Sequence, residues 1–149
     1  MSYRSGERFQ LWKVPVAGGS EVQITHHGGF DAHESPDGRW VYYTKDNGIG
    51  IYRVSASGGD ERRLLNVSLA GGGYWAVGKR GIYFVENSSS PGPIVKHYNF
   101  ANDRLTEITS LEHPTFSEQP GFAVSPDERW ILYLQVEANT DIMLVENFH

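Results

Sequence analysis

The chain consists of short runs of apolar residues, and glycine, proline, asparagine or aspartate follows most of them within a few positions. No segment keeps a helical period of apolar residues long enough to predict an amphipathic helix. Short apolar runs that are bounded by turn residues are typical of β-strands. The 17 glycines and 7 prolines are spread along the chain, which also favours many turns. The pattern therefore predicts an all-β fold.

One of these runs is apolar at successive positions rather than at alternate ones. Residues 40–43 read Trp-Val-Tyr-Tyr, without a polar residue between them. A strand with one face in water alternates, whereas a strand covered on both faces is apolar throughout. We therefore expect residues 40–43 to lie in a sheet that is packed between two neighbouring sheets.

A hexapeptide precedes this run and occurs a second time in the chain. Residues 35–40 read Ser-Pro-Asp-Gly-Arg-Trp and residues 125–130 read Ser-Pro-Asp-Glu-Arg-Trp, while residues 79–81 form a degenerate copy. The copies lead into apolar triplets at residues 41–43, 82–84 and 131–133. The repeat is thus about 45 residues long, which indicates a solenoid or a propeller. The first copy fits a type I turn, so Asp37 and Asp127 are expected to bind turn backbone rather than to act in acid–base catalysis.

A second motif follows the first in each repeat. Residues 11–21 match residues 51–61: in both, an aromatic strand ends in Gly-Gly and a polar strand follows. A glycine pair supplies the positive φ angles of a tight hairpin. Residues 94–109 form a third copy with Asn-Asp at the turn, and residues 141–145 begin a fourth. Pro15 is expected at a bulge or a strand end, because proline cannot donate to a sheet.

Each repeat therefore contains four strands: one with small residues, one apolar, one mixed and one polar. In a propeller blade the first strand lines the axis, the second is sandwiched and the fourth is the solvated edge. The predicted blade units are residues 29–65, residues 71–109, and a split unit formed by residues 120–149 together with residues 9–25. The fold class is thus a β-propeller fragment of about three four-stranded blades, two complete and two partial.

The Ser-Pro-Asp-Gly turn followed by an apolar strand resembles the TolB-type, WD-like propeller repeat. The likeness covers nearly the whole chain and is greatest to the C-terminal propeller region of bacterial sensor or winged-helix transcription-regulator proteins. This resemblance implies a propeller fold and leaves the activity open, because propellers host many unrelated functions. These residues include no counterpart of the winged-helix domain, so the resemblance does not imply DNA binding for this chain.

About three blades are too few for a ring, which usually needs four to eight. The two partial units are complementary, because the C-terminal one supplies the first three strands of a blade and the N-terminal one supplies the last two. We therefore expect the chain to close a six-bladed ring as a homodimer, with twofold complementation of its blades. Residues 11–16 and 141–145 would compete for one strand position in that ring. The alternative is a fragment of a longer propeller that does not assemble with itself.

Composition excludes several functions. The net charge is −5 and there is no basic tract, so we expect no nucleic-acid partner. No apolar run approaches the roughly 18 residues of a membrane span, and no signal segment begins the chain, so no membrane association is expected. The chain has no cysteine, which rules out disulfides and thiolate chemistry and leaves both cytoplasm and periplasm open.

Candidate catalytic and metal-binding groups are sparse. His26, His27 and His33 lie close in sequence to Asp31, which shares a strand face with His33, while Glu34 points the other way. Imidazole and carboxylate ligands suit zinc or nickel, but this segment is also typical of a loop between blades. No nucleophile elbow is present. We therefore predict no catalytic residue, no metal and no cofactor.

The remaining candidates are aromatic or lie on the predicted axis strands. Trp12, Tyr52, Trp40, Trp130, Tyr43 and Tyr133 occupy equivalent repeat positions and are expected in the core. The predicted ligand-binding residues are His33, Glu34, Tyr74, Trp75 and Phe122. We expect a non-catalytic scaffold that binds a protein, peptide or small ligand and assembles with itself. The alternatives are a hydrolase or lyase that uses histidines and carboxylates of the channel, a propeller accessory to a peptidase, and a purely structural module.

Overall fold

The computed structural model describes residues 9–45, 48–89, 92–113 and 121–135, which form twelve β-strands and no helix. The strands group into two hairpins and two four-stranded sheets. The N-terminal hairpin contains β1 (Trp12–Lys13) and β2 (Val22–Gln23), and the C-terminal hairpin contains β11 (Phe122–Val124) and β12 (Ile131–Tyr133). Blade 1 contains β3 (Phe30–Glu34), β4 (Trp40–Thr44), β5 (Ile49–Ser55) and β6 (Arg62–Ser68), and blade 2 contains β7 (Trp75–Val77), β8 (Gly81–Glu86), β9 (Ile94–Asn99) and β10 (Arg104–Ser110).

Both blades are antiparallel meanders, in which each strand pairs with the strands before and after it in sequence. The first strand of blade 2, β7, lies beside β3 on one side and beside β11 on the other. The inner strands of successive units thus face a common axis, as in a propeller. The all-β propeller fragment that the repeat predicts is confirmed. The described residues contain no helix long and apolar enough to span a membrane.

The repeated turn has the structure that its residues predict. The Gly38 N–H donates to the Ser35 carbonyl at 2.8 Å, and Asp37 Oδ1 accepts from the Ser35 hydroxyl at 2.6 Å and from the Arg39 N–H at 3.1 Å. The second copy repeats these contacts around Asp127. The two aspartates therefore stabilise turn backbone, as expected.

The Gly-Gly hairpins also form where the sequence places them. Gly18 and Gly19 have φ values of 87° and 132°, and Gly58 and Gly59 have values of 85° and 117°. Pro15 lies beyond the end of β1, and its carbonyl accepts the turn hydrogen bond from Gly18. Residues 141–145, which the repeat predicts to be a further strand, lie outside the described residues.

The core lies between sheets rather than within one sheet. Tyr43 is buried with Ile24 of the N-terminal hairpin, whereas Tyr42 faces blade 2 and stacks on Phe100 with ring centroids 5.3 Å apart. Successive residues of β4 therefore pack against two different neighbours. This arrangement confirms the expectation that residues 40–43 are covered on both faces.

The expected burial of the repeated aromatic residues is only partly confirmed. Tyr43 is fully buried, and Trp40 and Tyr52 are half-buried. Trp12, Trp130 and Tyr133 are exposed in the single chain, so the prediction that they belong to its core is wrong. The cause is their position in the two hairpins, since within residues 9–45 and 121–135 each hairpin forms only half of a blade.

Candidate functional site at the propeller axis

The inner strand of blade 1 contains an irregularity at Asp31. The register of β3 with β4 shifts between Phe30 and Ala32, which is a β-bulge, and Asp31 has a φ of 42°. A residue other than glycine in this left-handed region is uncommon, and aspartate is among the few that tolerate it. Bulges often redirect a side chain toward a site. Here the bulge directs the Asp31 carboxylate toward blade 2.

The Asp31 carboxylate joins the inner strands of the two blades. Its Oδ2 accepts a hydrogen bond of 2.6 Å from Nε1 of Trp75, which is the first residue of β7. The His33 ring meets the Trp75 ring edge-on, with centroids 4.5 Å apart. We name Asp31, His33 and Trp75 the axis cluster. Its Trp75 is buried, while the Asp31 and His33 side chains keep 24% and 38% of their surface exposed.

The electrostatics of the axis cluster favour a neutral imidazole. Burial lowers the pKa of His33, and the nearby Asp31 carboxylate opposes this effect only in part. His33 Nε2 lies 3.9 Å from Asp31 Oδ1, too far for a direct hydrogen bond. A ligand N–H or O–H can sit within reach of both atoms, because each can act as an acceptor. The two atoms thus form a pair of neighbouring hydrogen-bond acceptors.

The other predicted site residues lie apart from this cluster. Glu34 is exposed at the end of β3, and strand alternation places it opposite to His33. Tyr74 is fully buried and its hydroxyl donates to the Leu134 carbonyl at 2.9 Å. Phe122 packs in the same cluster as Tyr74, at the junction with the C-terminal hairpin. The structure therefore brings His33 and Trp75 together and places Tyr74 and Phe122 at a second junction.

The histidine-rich segment does not converge on one point. The N–H groups of His26 and His27 donate to Glu61 Oε1 at 2.6 and 3.1 Å, whereas His33 packs on Trp75. Within the part of the chain that the structure describes, no three His, Cys, Asp or Glu side chains are placed to hold a metal ion.

Two carboxylates have roles that the sequence reasoning missed. Glu61 also accepts from the Tyr43 hydroxyl at 3.0 Å. Burial alone would raise the pKa of Glu61, but the hydrogen bonds from His26, Tyr43 and His27 together lower it. Glu128 binds the turn of blade 2 through Arg80. Two features of the sequence could have pointed to these roles. Glu61 matches Glu21 in the second motif, and Glu128 replaces glycine in the second hexapeptide.

Comparison with known proteins shows a similarity in fold. No model of a protein family matches the sequence, and no curated protein matches it. Among solved structures the chain is similar to one from Agrobacterium tumefaciens, a protein provisionally named TolB, with 19% sequence identity and a TM-score of 0.57. The match covers 86% of this chain and 51% of that one, so this chain spans about half the length of the TolB structure. The comparison supports a TolB-like propeller fold, and the finer likeness to sensor and regulator proteins stays a prediction.

Proposed function

We propose that this chain is a non-catalytic propeller scaffold that binds a protein, peptide or small ligand at the axis cluster and associates through its open blade edges. The observation that carries the proposal is the hydrogen bond from Trp75 to Asp31, which fixes a partly exposed carboxylate between two blades. Ligand sites often combine a few well-placed polar groups with apolar surface, and the axis cluster offers such polar groups.

The chemistry of the axis cluster indicates what the ligand presents. Asp31 Oδ1 and the neutral His33 imidazole both accept hydrogen bonds, and the exposed Phe30 ring on the same strand offers apolar surface. A ligand with an amino or amide donor beside an apolar group matches these features. Peptides combine both, which makes a peptide segment the favoured ligand.

The strain at Asp31 also supports a binding role. A left-handed aspartate costs of order 1 kcal/mol or more, and such costs concentrate at functional sites. In blade 2 the corresponding first strand is regular over its three pairs, Trp75 with Phe84, Ala76 with Tyr83 and Val77 with Ile82. The bulge is thus a feature of blade 1 rather than of every blade.

A hydrolase or lyase is the second candidate, and the neutral His33 beside Asp31 is the observation that favours it. A neutral imidazole with a carboxylate neighbour can act as a general base. Turnover of an ester or glycoside panel by the wild type, lost in His33→Gln, would establish this alternative and overturn the non-catalytic proposal.

The proposal is tested by selecting peptides from a random library on the immobilised wild-type chain. We expect selected peptides to bind at least tenfold more weakly to Asp31→Asn and His33→Ala. Asparagine tolerates the left-handed backbone at position 31, so Asp31→Asn removes the charge with little change in conformation.

Glu34→Gln is the matched control, since Glu34 lies on the same strand and faces the other way. It should bind the selected peptides as the wild type does. Peptides that bind both axis-cluster variants with unchanged affinity would show that the ligand site lies elsewhere.

A further inference from the structure

Each hairpin of this chain corresponds to one half of a blade. The N-terminal hairpin matches the third and fourth strands of blade 1, because residues 11–21 align with residues 51–61. The C-terminal hairpin matches the first and second strands, because residues 125–133 align with residues 35–43. Together, the two hairpins contain the four strand types of one blade.

The edges at which the halves would join are unpaired within the part of the chain that the structure describes. In blade 1, β4 pairs with β3 on one side and with β5 on the other. Among the described residues, β12 pairs only with β11, and β1 pairs only with β2. Unpaired strand edges readily accept another strand. The free edges of β12 and β1 are those that β4 and β5 use to pair with each other.

The side chains at these edges are exposed, whereas their counterparts in blade 1 are covered. Trp12 and Val14 are 53% and 59% exposed, and Trp130 is 68% exposed. Val54, the counterpart of Val14, is fully buried. Exposed apolar groups at structurally equivalent positions mark a contact surface that the single chain leaves uncovered.

We propose that β12 of one copy pairs antiparallel with β1 of a second copy, so that the two hairpins form a composite blade with strand order β11-β12-β1-β2. The occupant of each open edge is therefore a second copy of this chain. This inference rests on the proposed scaffold, since it names the partner that its open edges bind.

The pairing of β4 with β5 supplies the register. Tyr43 is opposite Tyr52, Tyr42 is opposite Arg53 and Val41 is opposite Val54. By equivalence, Tyr133 of one copy is opposite Trp12 of the partner subunit, Leu132 is opposite Lys13 of the partner subunit, and Ile131 is opposite Val14 of the partner subunit.

We call the contact between β12 of one copy and β1 of a second copy the seam. Two side-chain contacts of blade 1 have matching residues at this seam. Arg53 lies over the Trp40 ring at 4.7 Å, and Tyr43 stacks on Tyr52 at 5.7 Å. The seam offers Lys13 for Trp130, which keeps a cation over an indole ring, and Tyr133 for Trp12, which keeps an aromatic pair. Cation–π and aromatic contacts of this kind stabilise cross-strand pairs.

The outer part of blade 2 gives independent support. Leu64 of β6 is the counterpart in blade 1 of Ile24, which directly follows β2 in the N-terminal hairpin. Ile24 packs against blade 1, and Leu64 packs against blade 2. Ile108 occupies this position in blade 2 and is 48% exposed. The N-terminal hairpin of a second copy would cover Ile108, because it supplies the outer half that the C-terminal hairpin lacks.

The composite blade closes a ring with twofold symmetry. Two copies contribute two full blades each and share two composite blades, which makes six blades and lies within the usual range. Each copy donates the same two hairpins, so the contact is self-complementary. The closed ring would then have no open edge for a third copy.

The first test is the molar mass of the full chain by light scattering at micromolar concentration. We expect twice the 16.7 kDa of one chain. Trp130→Ala should raise the dimer dissociation constant at least tenfold, whereas Leu105→Ala should not change it, since Leu105 is an exposed residue of β10 that lies away from the seam. A wild-type mass of one chain would overturn the inference, including the case in which residues 141–145 occupy the edge of β12.

The second test uses disulfide cross-linking to read the register. The chain has no cysteine, so Lys13→Cys and Leu132→Cys on separate, differently tagged copies report only on the seam. We expect the mixed disulfide to form rapidly for this pair and not for Val22→Cys with Leu132→Cys, because β2 lies at the far side of β1.

The outcomes of these tests are distinct from failure of the scaffold proposal. A dimer in which the two cysteine pairs react equally would overturn the composite blade and leave association through other edges. A monomer that still loses peptide binding in His33→Ala would overturn the dimer and keep the axis cluster as the ligand site.

Discussion

Glu128 of the C-terminal hairpin binds Arg80 of blade 2 through the same two contacts by which Asp37 binds Arg39 within one turn. Glu128 Oε1 accepts from the Arg80 N–H at 3.1 Å, and its Oε2 accepts from Arg80 Nε at 2.5 Å. Asp37 makes the same two contacts with the N–H and Nε of Arg39, at 3.1 and 2.6 Å. The turn of blade 2 lacks its own aspartate, and the adjacent turn of the C-terminal hairpin supplies the missing carboxylate.

This contact explains why a glutamate occupies a glycine position in the second hexapeptide. Glu128 has a φ of 55°, close to the 69° of its counterpart Gly38. Its side chain is 5% exposed. Burial would raise the pKa of Glu128, but the hydrogen bonds from Arg80 lower it overall. The contact to the neighbouring blade thus compensates for a strained backbone.

The first prediction separates the effect of backbone strain at position 128 from the effect of losing the contact with Arg80. Glu128→Ala and Glu128→Gly both lose the carboxylate, but glycine adopts a positive φ without the clash of a Cβ atom. We therefore expect the glycine variant to be more stable than the alanine variant by about 1 kcal/mol in urea unfolding. Gly38→Ala should be destabilising for the same reason. Equal stability of the two position-128 variants would contradict the role of backbone strain.

The second prediction concerns the close approach of β8 and β9. A Cβ atom at Gly81 would lie 1.9 Å from the Tyr98 carbonyl oxygen, which belongs to backbone and cannot move aside. We expect Gly81→Ala to lower the free energy of unfolding by roughly 3 kcal/mol or more, as severe overpacking does. In Gly72→Ala the nearest atom is a Phe30 ring carbon at 3.6 Å, so this control should unfold as the wild type does in the same denaturant series.

The third prediction concerns the buried glutamate beside the linker between the N-terminal hairpin and blade 1. Glu61→Ala leaves the buried Tyr43 hydroxyl and the His26 N–H without their acceptor. Such losses cost about 1–3 kcal/mol, which thermal and chemical unfolding will detect. Glu21 occupies the same repeat position but is exposed, so Glu21→Ala should leave the stability unchanged. Equal effects of the two variants would show that the Glu61 contacts add nothing.

The fourth prediction is a loss of stability in mild acid. Burial lowers the pKa of both His33 and His97 from the ordinary 6.5, and within the described residues Nε2 of His97 is buried without a hydrogen-bond partner. The unfolded chain therefore takes up protons first as the pH falls through about 6.5, and the folded state loses stability below that pH.

Unfolding free energies measured from pH 7.5 to pH 5 will test this. The double variant His33→Gln with His97→Gln should show a shallower decline with falling pH than the wild type. His26→Gln is the control, since the His26 side chain is exposed. If the unfolding free energy of the double variant fell with pH as steeply as that of the wild type, His33 and His97 would not be the cause of the loss of stability in acid.

The repeat and its turns could be predicted from the sequence because their interactions are local. Asp37 binds groups two residues away in the chain, and each Gly-Gly pair sits within one hairpin. Such contacts depend only on residue type and spacing, so the Ser-Pro-Asp turn located the boundary between an inner and a buried strand. The apolar residues 40–43 likewise predicted a sheet covered on both faces.

The contacts between blades were decided by the tertiary structure alone. Trp75 and Asp31 are 44 positions apart, and Arg80 and Glu128 are 48 apart. Which side chains meet at such distances depends on a bulge in β3 and on the faces that adjacent blades turn toward each other. The exposure of Trp12 and Trp130 is of the same kind. Their repeat positions predict burial, but burial requires a neighbouring half-blade, and the described residues place none beside them.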